Sequence, residues 1–223
     1  MKRRVFLVED HPITREGFRA VIDRTSDLEV AGEAADGPTA IDRIEAAAPD
    51  IVVIDVMIDG SDGIEVTKQI RSLHQDLPVL VVSGLSETVY GERALRAGAQ
   101  GYLMKQTPPE AFLTAIRTVL DGHVSLSPAL RERLLGSYLS ASGPSTSALD
   151  DLTDRELEVF RQFGHGLTTA EVAEAMMVSP KTVETHRVHI KQKLGIRTTN
   201  EFVQRAALWV ARDGSASGPD GTD

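Results

Sequence analysis

The chain contains no cysteine, which excludes disulfides and thiolate metal sites and is compatible with a reducing compartment. No apolar run approaches the roughly 18 residues of a membrane-crossing helix. The start, Met1-Lys2-Arg3-Arg4, leads into only four apolar residues before Glu9-Asp10. That pattern is unlike a secretory leader, so a cytoplasmic location is expected. No repeat of solenoid period is visible. Net positive charge is lacking too: the formal charge is −9 over 223 residues, which excludes a general polyanion binder and confines any nucleic-acid contact to a local patch. The charge is uneven. Residues 1–150 hold fifteen Lys and Arg against twenty-two Asp and Glu, residues 151–212 hold nine against eight, and the last eleven residues add three aspartates. This length predicts one or two domains, each able to bury its own core.

What is present is organised around Ile51-Val52-Val53-Ile54-Asp55. Four β-branched apolar residues in a row predict a strand buried on both faces, as in a parallel sheet. A buried, unpaired carboxylate costs several kcal/mol, so Asp55 belongs at the strand's end. In open α/β sheets that end is where ligands bind. Taken alone, such an acid is most simply a cap or turn residue. Other strand ends change the weighting: Val5 to Val8 leads into Glu9-Asp10, Leu80 to Val82 into Ser83-Gly84, and Gly101 to Met104 into Lys105. Three acids, a hydroxyl and an amine thus converge on one face. Converging carboxylates raise one another's pKa unless a cation joins them. The set suits a hard divalent ion with oxygen ligands, and an ammonium beside it would hold a phosphate.

Over about the first 120 residues this pattern resembles the receiver domain of two-component response regulators. The resemblance implies that Asp55 is the phospho-acceptor. Glu9, Asp10, Asp55 and the carbonyl of Met57 would hold Mg²⁺, while Ser83 and Lys105 would bind the phosphate. Tyr102 would be the switch aromatic that swings inward on phosphorylation. Receivers usually carry proline four residues after the acceptor, and many follow the lysine with proline; Asp59 and Gln106 stand at those positions here. Asp59 adds a negative charge near the expected pocket and removes a rigid φ.

Strands and helices alternate through residue 122, predicting a flavodoxin-like, five-stranded, parallel, doubly wound sheet over 1–122. Residues 123–148 are expected to form a linker helix (Ala129 to Leu139) and a Ser/Gly-rich tether from Ser140. An all-α domain of four helices is expected over 149–212, and a disordered tail over 213–223. In the second domain, Thr153 and Glu156 have capping-box spacing, and Thr168 or Thr169 caps a second helix. Ser179-Pro180 opens a third, with Val183, Ile190 and Leu194 facing inward and Gly195 as its stop. This is helix-turn-helix spacing. From Lys181 to Arg197 five cations face one acid, the footprint of a DNA-reading element.

The motifs L-T-x-R-E-x-E-V, E-V-A and K-T-V-E-T-H with K-L-G after them resemble the LuxR-type helix-turn-helix, and a receiver followed by this module is the NarL/FixJ arrangement. Lys181, Thr182, Glu184, Thr185, Arg187, Val188 and Lys191 are the expected DNA contacts, with bases read by Glu184, Thr185 and Val188. His186 and His189 lack further ligands for a metal. Trp209 and Met176-Met177 are expected in the core or at a dimer contact.

The function expected is a phosphorylation-switched transcription regulator, not an enzyme, partnered by a sensor histidine kinase and promoter DNA and forming a homodimer when active. Two alternatives differ in class. One is a phosphorylation-independent DNA binder with a vestigial receiver, which the intact acid, hydroxyl and lysine argue against. The other is a Mg²⁺-dependent phosphohydrolase, which would carry a second acid two residues past Asp55, where Met57 stands.

Overall fold

The computed structural model describes residues 1–139 and 148–215. The expected tether from Ser140 lies outside the described residues up to Ala148, and so does the tail beyond Ser215. The chain divides into two compact units, Met1–Ser142 and Gly143–Asp223.

The first unit runs β1 (Arg3–Val8), α1 (Pro12–Asp23), β2 (Leu28–Ala34), α2 (Gly37–Ala47), β3 (Ile51–Ile54), β4 (Met57–Ile58), β5 (Ser61–Asp62), α3 (Gly63–Leu73), β6 (Val79–Ser83), α4 (Glu87–Arg96), β7 (Gly101–Met104), α5 (Pro109–Leu120) and α6 (Pro128–Leu139). Helix starts follow local chemistry. Pro12 presets φ at the start of α1, and the Asp36 carboxylate accepts the Thr39 N–H at 2.8 Å to cap α2. Five strands pair in parallel in the order β2-β1-β3-β6-β7, the doubly wound sheet expected. The order reverses between β1 and β3, the switch point at which such sheets open a crevice. Register sets the crevice walls: Val8 pairs with Ile54, and the Asp55 N–H donates to the Val8 carbonyl at 3.0 Å. Glu9 and Asp55 therefore leave adjacent strands at one level.

One face of the sheet buries Val5, Leu7, Ile51, Val53, Leu80 and Val82 against α1 and α5. There Phe18 stacks on Phe112 with centroids 4.9 Å apart. Each such side chain contributes about 1.5–3 kcal/mol through burial, which makes the strand ends a rigid platform.

Just after Asp55, β4 and β5 form a small antiparallel ladder, Met57 with Asp62 and Ile58 with Ser61, around an Asp59-Gly60 turn. Gly60 takes φ +61°, a conformation glycine adopts without cost. The segment expected as a linker is also attached to the sheet unit. Ser125 bridges Gly101 at the edge strand, and Ser127 Oγ lies 2.6 Å from Glu87 Oε1 on α4 while capping α6. Leu130 is buried over Gly91 of α4. A Cβ at Gly91 would come 2.5 Å from Leu130 Cδ2, so any larger residue there would push the leucine aside.

The second unit holds a 3₁₀ turn (Ala148–Asp151) and four helices: α7 (Asp154–Gly164), α8 (Thr169–Ala175), α9 (Pro180–Leu194) and α10 (Thr199–Ser215). Thr153 and Glu156 make the expected capping box, Thr168 makes a second one with Glu171, and Ser179 caps α9. Gly195, at φ +65°, ends α9. Helix α10 continues to Ser215, so Asp213 to Ser215 are helical rather than tail. Phe160, Phe163, Val172, Val183, Ile190 and Phe202 form the core, and Leu194 is only half-buried. Met176 is buried, Met177 is exposed, and Trp209 lies against Phe160 at 5.9 Å. Among the described residues no helix is long and apolar enough to cross a membrane.

Candidate functional site

The ends of β1, β3, β6 and β7 bring the expected receiver residues together. Asp55, just past β3, is 4% exposed. Lys105, just past β7, is anchored by its N–H to the Ser83 carbonyl at 2.8 Å. Its Nζ reaches back 2.8 Å to Asp55 Oδ2 and 2.7 Å to Glu9 Oε2. The other acceptor oxygen, Asp55 Oδ1, is buried with no hydrogen-bond partner among the described residues. Burial, then the neighbouring Asp55 carboxylate, push Glu9 above the ordinary carboxylate pKa, and Lys105 opposes them only in part. For Lys105 burial works against the charge, but the carboxylates of Asp55 and Glu9 overrule it and hold the ammonium's pKa above its usual value. One ammonium between two acids leaves the cluster short of positive charge.

Ser83, fully buried at the end of β6, accepts the Leu85 N–H at 3.3 Å. Its hydroxyl hydrogen remains available to donate. Tyr102, the expected switch aromatic, points inward in this structure. The ring is 1% exposed and its hydroxyl donates to the Leu85 carbonyl at 2.9 Å. The aromatic therefore already stands inward, because that carbonyl lets the phenol be buried without stranding its donor. Asp59 is exposed in the β4–β5 turn. Met57 lies on β4, next to the pocket in sequence and half-buried.

Two residues of the site escape a reading of the sequence. His11 follows the acidic pair; its Nδ1 lies 2.7 Å from Asp10 Oδ1 and its N–H donates to Glu9 Oε1 at 3.2 Å. Glu9, Asp10 and His11 form a group able to hold a cation. Gly63, the first residue of α3, backs the acceptor: a Cβ there would stand 1.9 Å from the Asp55 carbonyl oxygen. Its N–H donates to the Val56 carbonyl at 2.8 Å.

On α9 the expected DNA contacts divide. Lys181, Glu184, Thr185 and Val188 are exposed, and Val188, an apolar side chain, is 52% exposed. Thr185 Oγ1 donates to the Lys181 carbonyl at 3.0 Å, Thr182 is engaged with the Ser179 cap, and Lys191 Nζ reaches Thr199 Oγ1 at 3.2 Å. Arg187 is the misplaced one. Its side chain is 15% exposed, its guanidinium lies 4.9 Å from the Phe163 centroid and 5.6 Å from that of Phe202, and it pairs with Glu184 at 2.6 Å. It faces the core rather than a phosphate. Lys193 is likewise taken, 2.7 Å from Glu156. The exposed part of α9 is therefore less basic than its composition. His189 lies 3.8 Å from Glu156, and burial holds His186 below the usual histidine pKa.

Family comparisons match the two units separately. Residues 5–117 match the response regulator receiver domain, and residues 150–206 match the luxR family of bacterial regulatory proteins. The oxygen regulatory protein NreC of Staphylococcus carnosus (strain TM300) is 32% identical over 208 residues, which span 91% of this chain and 96% of NreC. Among solved structures, a LuxR-family two-component response regulator from Aurantimonas sp. SI85-9A1 is 34% identical with a TM-score of 0.58, over 62% of this chain and 99% of that one. The response regulator ChrA of a heme-sensing two-component system is 31% identical with a TM-score of 0.50, over 96% of this chain and 98% of that one.

Proposed function

The chain belongs to the two-component response regulators whose receiver domain is followed by a luxR-type DNA-binding domain, and from that premise we propose that Asp55 is the residue whose phosphorylation switches it. The protein is a phosphorylation-activated transcription regulator, its receiver implies a histidine kinase partner, and its second domain implies DNA binding. The observation that carries the assignment of Asp55 is its carboxylate, buried at the sheet's switch point with Oδ2 held by Lys105 and Oδ1 unpartnered.

The residues present fit a divalent cation, because a buried oxygen without a partner stands beside two further carboxylates and one ammonium cannot balance all three. Glu9, Asp10, Asp55 and the Met57 carbonyl would hold Mg²⁺. When bound, such an ion neutralises the carboxylates and orients a phosphoryl oxygen. In the transfer, an Asp55 carboxylate oxygen forms a bond to phosphorus, the P–N bond of the kinase phosphohistidine breaks, and its electron pair returns to the histidine nitrogen. Lys105 then moves its charge onto the new phosphate, and the Ser83 hydroxyl donates to it. Tyr102, inward already, pins Leu85 at the entry to α4. Since α6 is fastened to α4 through Glu87–Ser127 and Gly91–Leu130, a shift of α4 is carried into the linker.

The protein acts in the cytoplasm and binds promoter DNA as a homodimer when phosphorylated, since helix-turn-helix dimers read half-sites about one helical turn apart. Exposed Val203 and Leu208 on α10 supply apolar surface for that contact. The test is to incubate the protein with Mg²⁺ and a small phosphodonor and to map the modified residue by mass spectrometry after trapping the acyl phosphate. Label on Asp55 is expected, and stable label elsewhere with Asp55 bare overturns the assignment.

A further inference from the structure

We propose that Glu184 is a pre-set acceptor for the exocyclic amino group of one operator base, and that Arg187 and Thr169 are positioning residues that aim it. The inference rests on the DNA-binding reading above and adds to it a source of sequence preference.

Glu184 lies on the exposed side of α9, with its side chain 52% exposed. A lone carboxylate there is repelled by DNA phosphates and has no hydrogen to donate. Yet it is not loose. Thr169 Oγ1 donates to Glu184 Oε1 at 2.9 Å, and Arg187 Nη1 donates to the same oxygen at 2.6 Å. Arg187 Nη1 also lies 3.4 Å from Thr169 Oγ1, which closes a three-membered cluster. Both bonds fall on Oε1, so Oε2 keeps its lone pairs for a partner outside the protein. The only base-edge groups in the major groove that can donate to it are cytosine N4 and adenine N6, and carboxylates favour the cytosine amine.

Arg187 serves this role through its placement. Its guanidinium is held near two aromatic rings, Phe163 of α7 and Phe202 of α10, and its Nε is buried with no hydrogen-bond partner among the described residues. A cation fixed this far inside is not available to a phosphate. It also fixes the carboxylate relative to the packed core, as Thr169 fixes it relative to the first residue of α8. Lysine has the charge but not the plane that stacks on the rings.

The experiment uses full-length protein treated with Mg²⁺ and a small phosphodonor. Bound duplexes are selected from a random pool, and affinities are then measured at two salt concentrations for the selected sequence and for duplexes changed one base pair at a time. Wild type should prefer an amino-bearing base at one position of each half-site by about tenfold; comparing C with A there says which amine is read. Glu184→Ala and Thr169→Val should each lose that preference and leave the other positions and the salt slope unchanged. Arg187→Met should do the same, and Arg187→Lys should restore it only in part. The proposal is overturned if Thr169→Val and Arg187→Met keep the wild-type preference at every position. It is equally overturned if Arg187→Met lowers the salt slope by about one unit, the mark of a phosphate contact. Should Arg187→Met unfold, as judged by circular dichroism, the Thr169→Val arm decides, because Thr169 is partly exposed. Wild type that selects no sequence contradicts the DNA-binding reading itself and removes this inference with it.

Discussion

Adding one methyl group behind the phospho-acceptor should disable it. In Gly63→Ala the new Cβ would stand 1.9 Å from the Asp55 carbonyl oxygen, 2.8 Å from its carbon and 2.9 Å from Val56 Cα. All three are backbone atoms, so no side chain can rotate away. Ordinary contact begins near 3.4 Å, so the start of α3 and the end of β3 must separate by about 1.5 Å. That movement also breaks the Gly63 N–H bond to the Val56 carbonyl, 2.8 Å long. Overpacking of this kind costs about 1–3 kcal/mol, and a displacement of about 1 Å at a reacting group costs about a hundredfold in rate. The expected variant unfolds at lower temperature and takes phosphate from a small phosphodonor about a hundredfold more slowly, followed by Phos-tag electrophoresis against time. Gly60→Ala is the control. It sits at φ +61° with nothing within 4 Å, so it should cost about 1–2 kcal/mol of backbone strain and leave the phosphorylation rate alone. Wild-type phosphorylation kinetics in Gly63→Ala would refute the claim that close backbone approach positions Asp55.

Asp59 is exposed in the β4–β5 turn, so Asp59→Pro should change Mg²⁺ affinity by less than about tenfold in an isothermal titration; a larger loss would make Asp59 a ligand. In the second unit, burial acts to raise the Glu156 pKa, but the Lys193 ammonium and the Thr153 N–H overrule it and hold it below the ordinary value. A depressed carboxylate pKa contributes stability that is present above the unfolded-state pKa and is lost as pH falls through the folded one. Thermal stability should therefore fall towards acid pH, and the slope should be shallower in Glu156→Gln; an unchanged slope would assign the acid sensitivity elsewhere. Lys181, exposed at the start of α9, should contact phosphate. Lys181→Ala should weaken binding to all sequences alike and reduce the salt slope by about one unit, whereas a changed consensus would show base contact instead.

The pocket was legible because Asp55, Glu9, Ser83 and Lys105 each end an apolar run, and in a parallel sheet those ends share an edge. His11 and Gly63 were not, since their partners depend on how α1 and α3 approach the strand ends. The direction of Tyr102 was not legible either: its acceptor is a backbone carbonyl, which any residue at position 85 would supply. On α9, counting charges misled where spacing would have served. Arg187 lies four residues after Val183 and three before Ile190, on the buried stripe, so its cation belongs to the core. Lys193, counted among the five cations, pairs with Glu156 on another helix, which spacing along α9 does not reveal. The attachment of α6 includes Leu130 over Gly91 and the Ser127–Glu87 hydrogen bond, contacts that carry no sequence pattern to distinguish a docked helix from a free linker.

Phosphorylation of Asp55 should govern DNA binding, and the most direct measurement is promoter affinity with and without phosphodonor in wild type and Asp55→Asn. Fluorescence anisotropy at fixed salt and Mg²⁺ reads it for a duplex selected by the wild-type protein. Phosphodonor should tighten wild-type binding and leave Asp55→Asn, which keeps the shape and loses the nucleophile, unaffected. An equal gain in the two proteins, or none in either, would contradict the account.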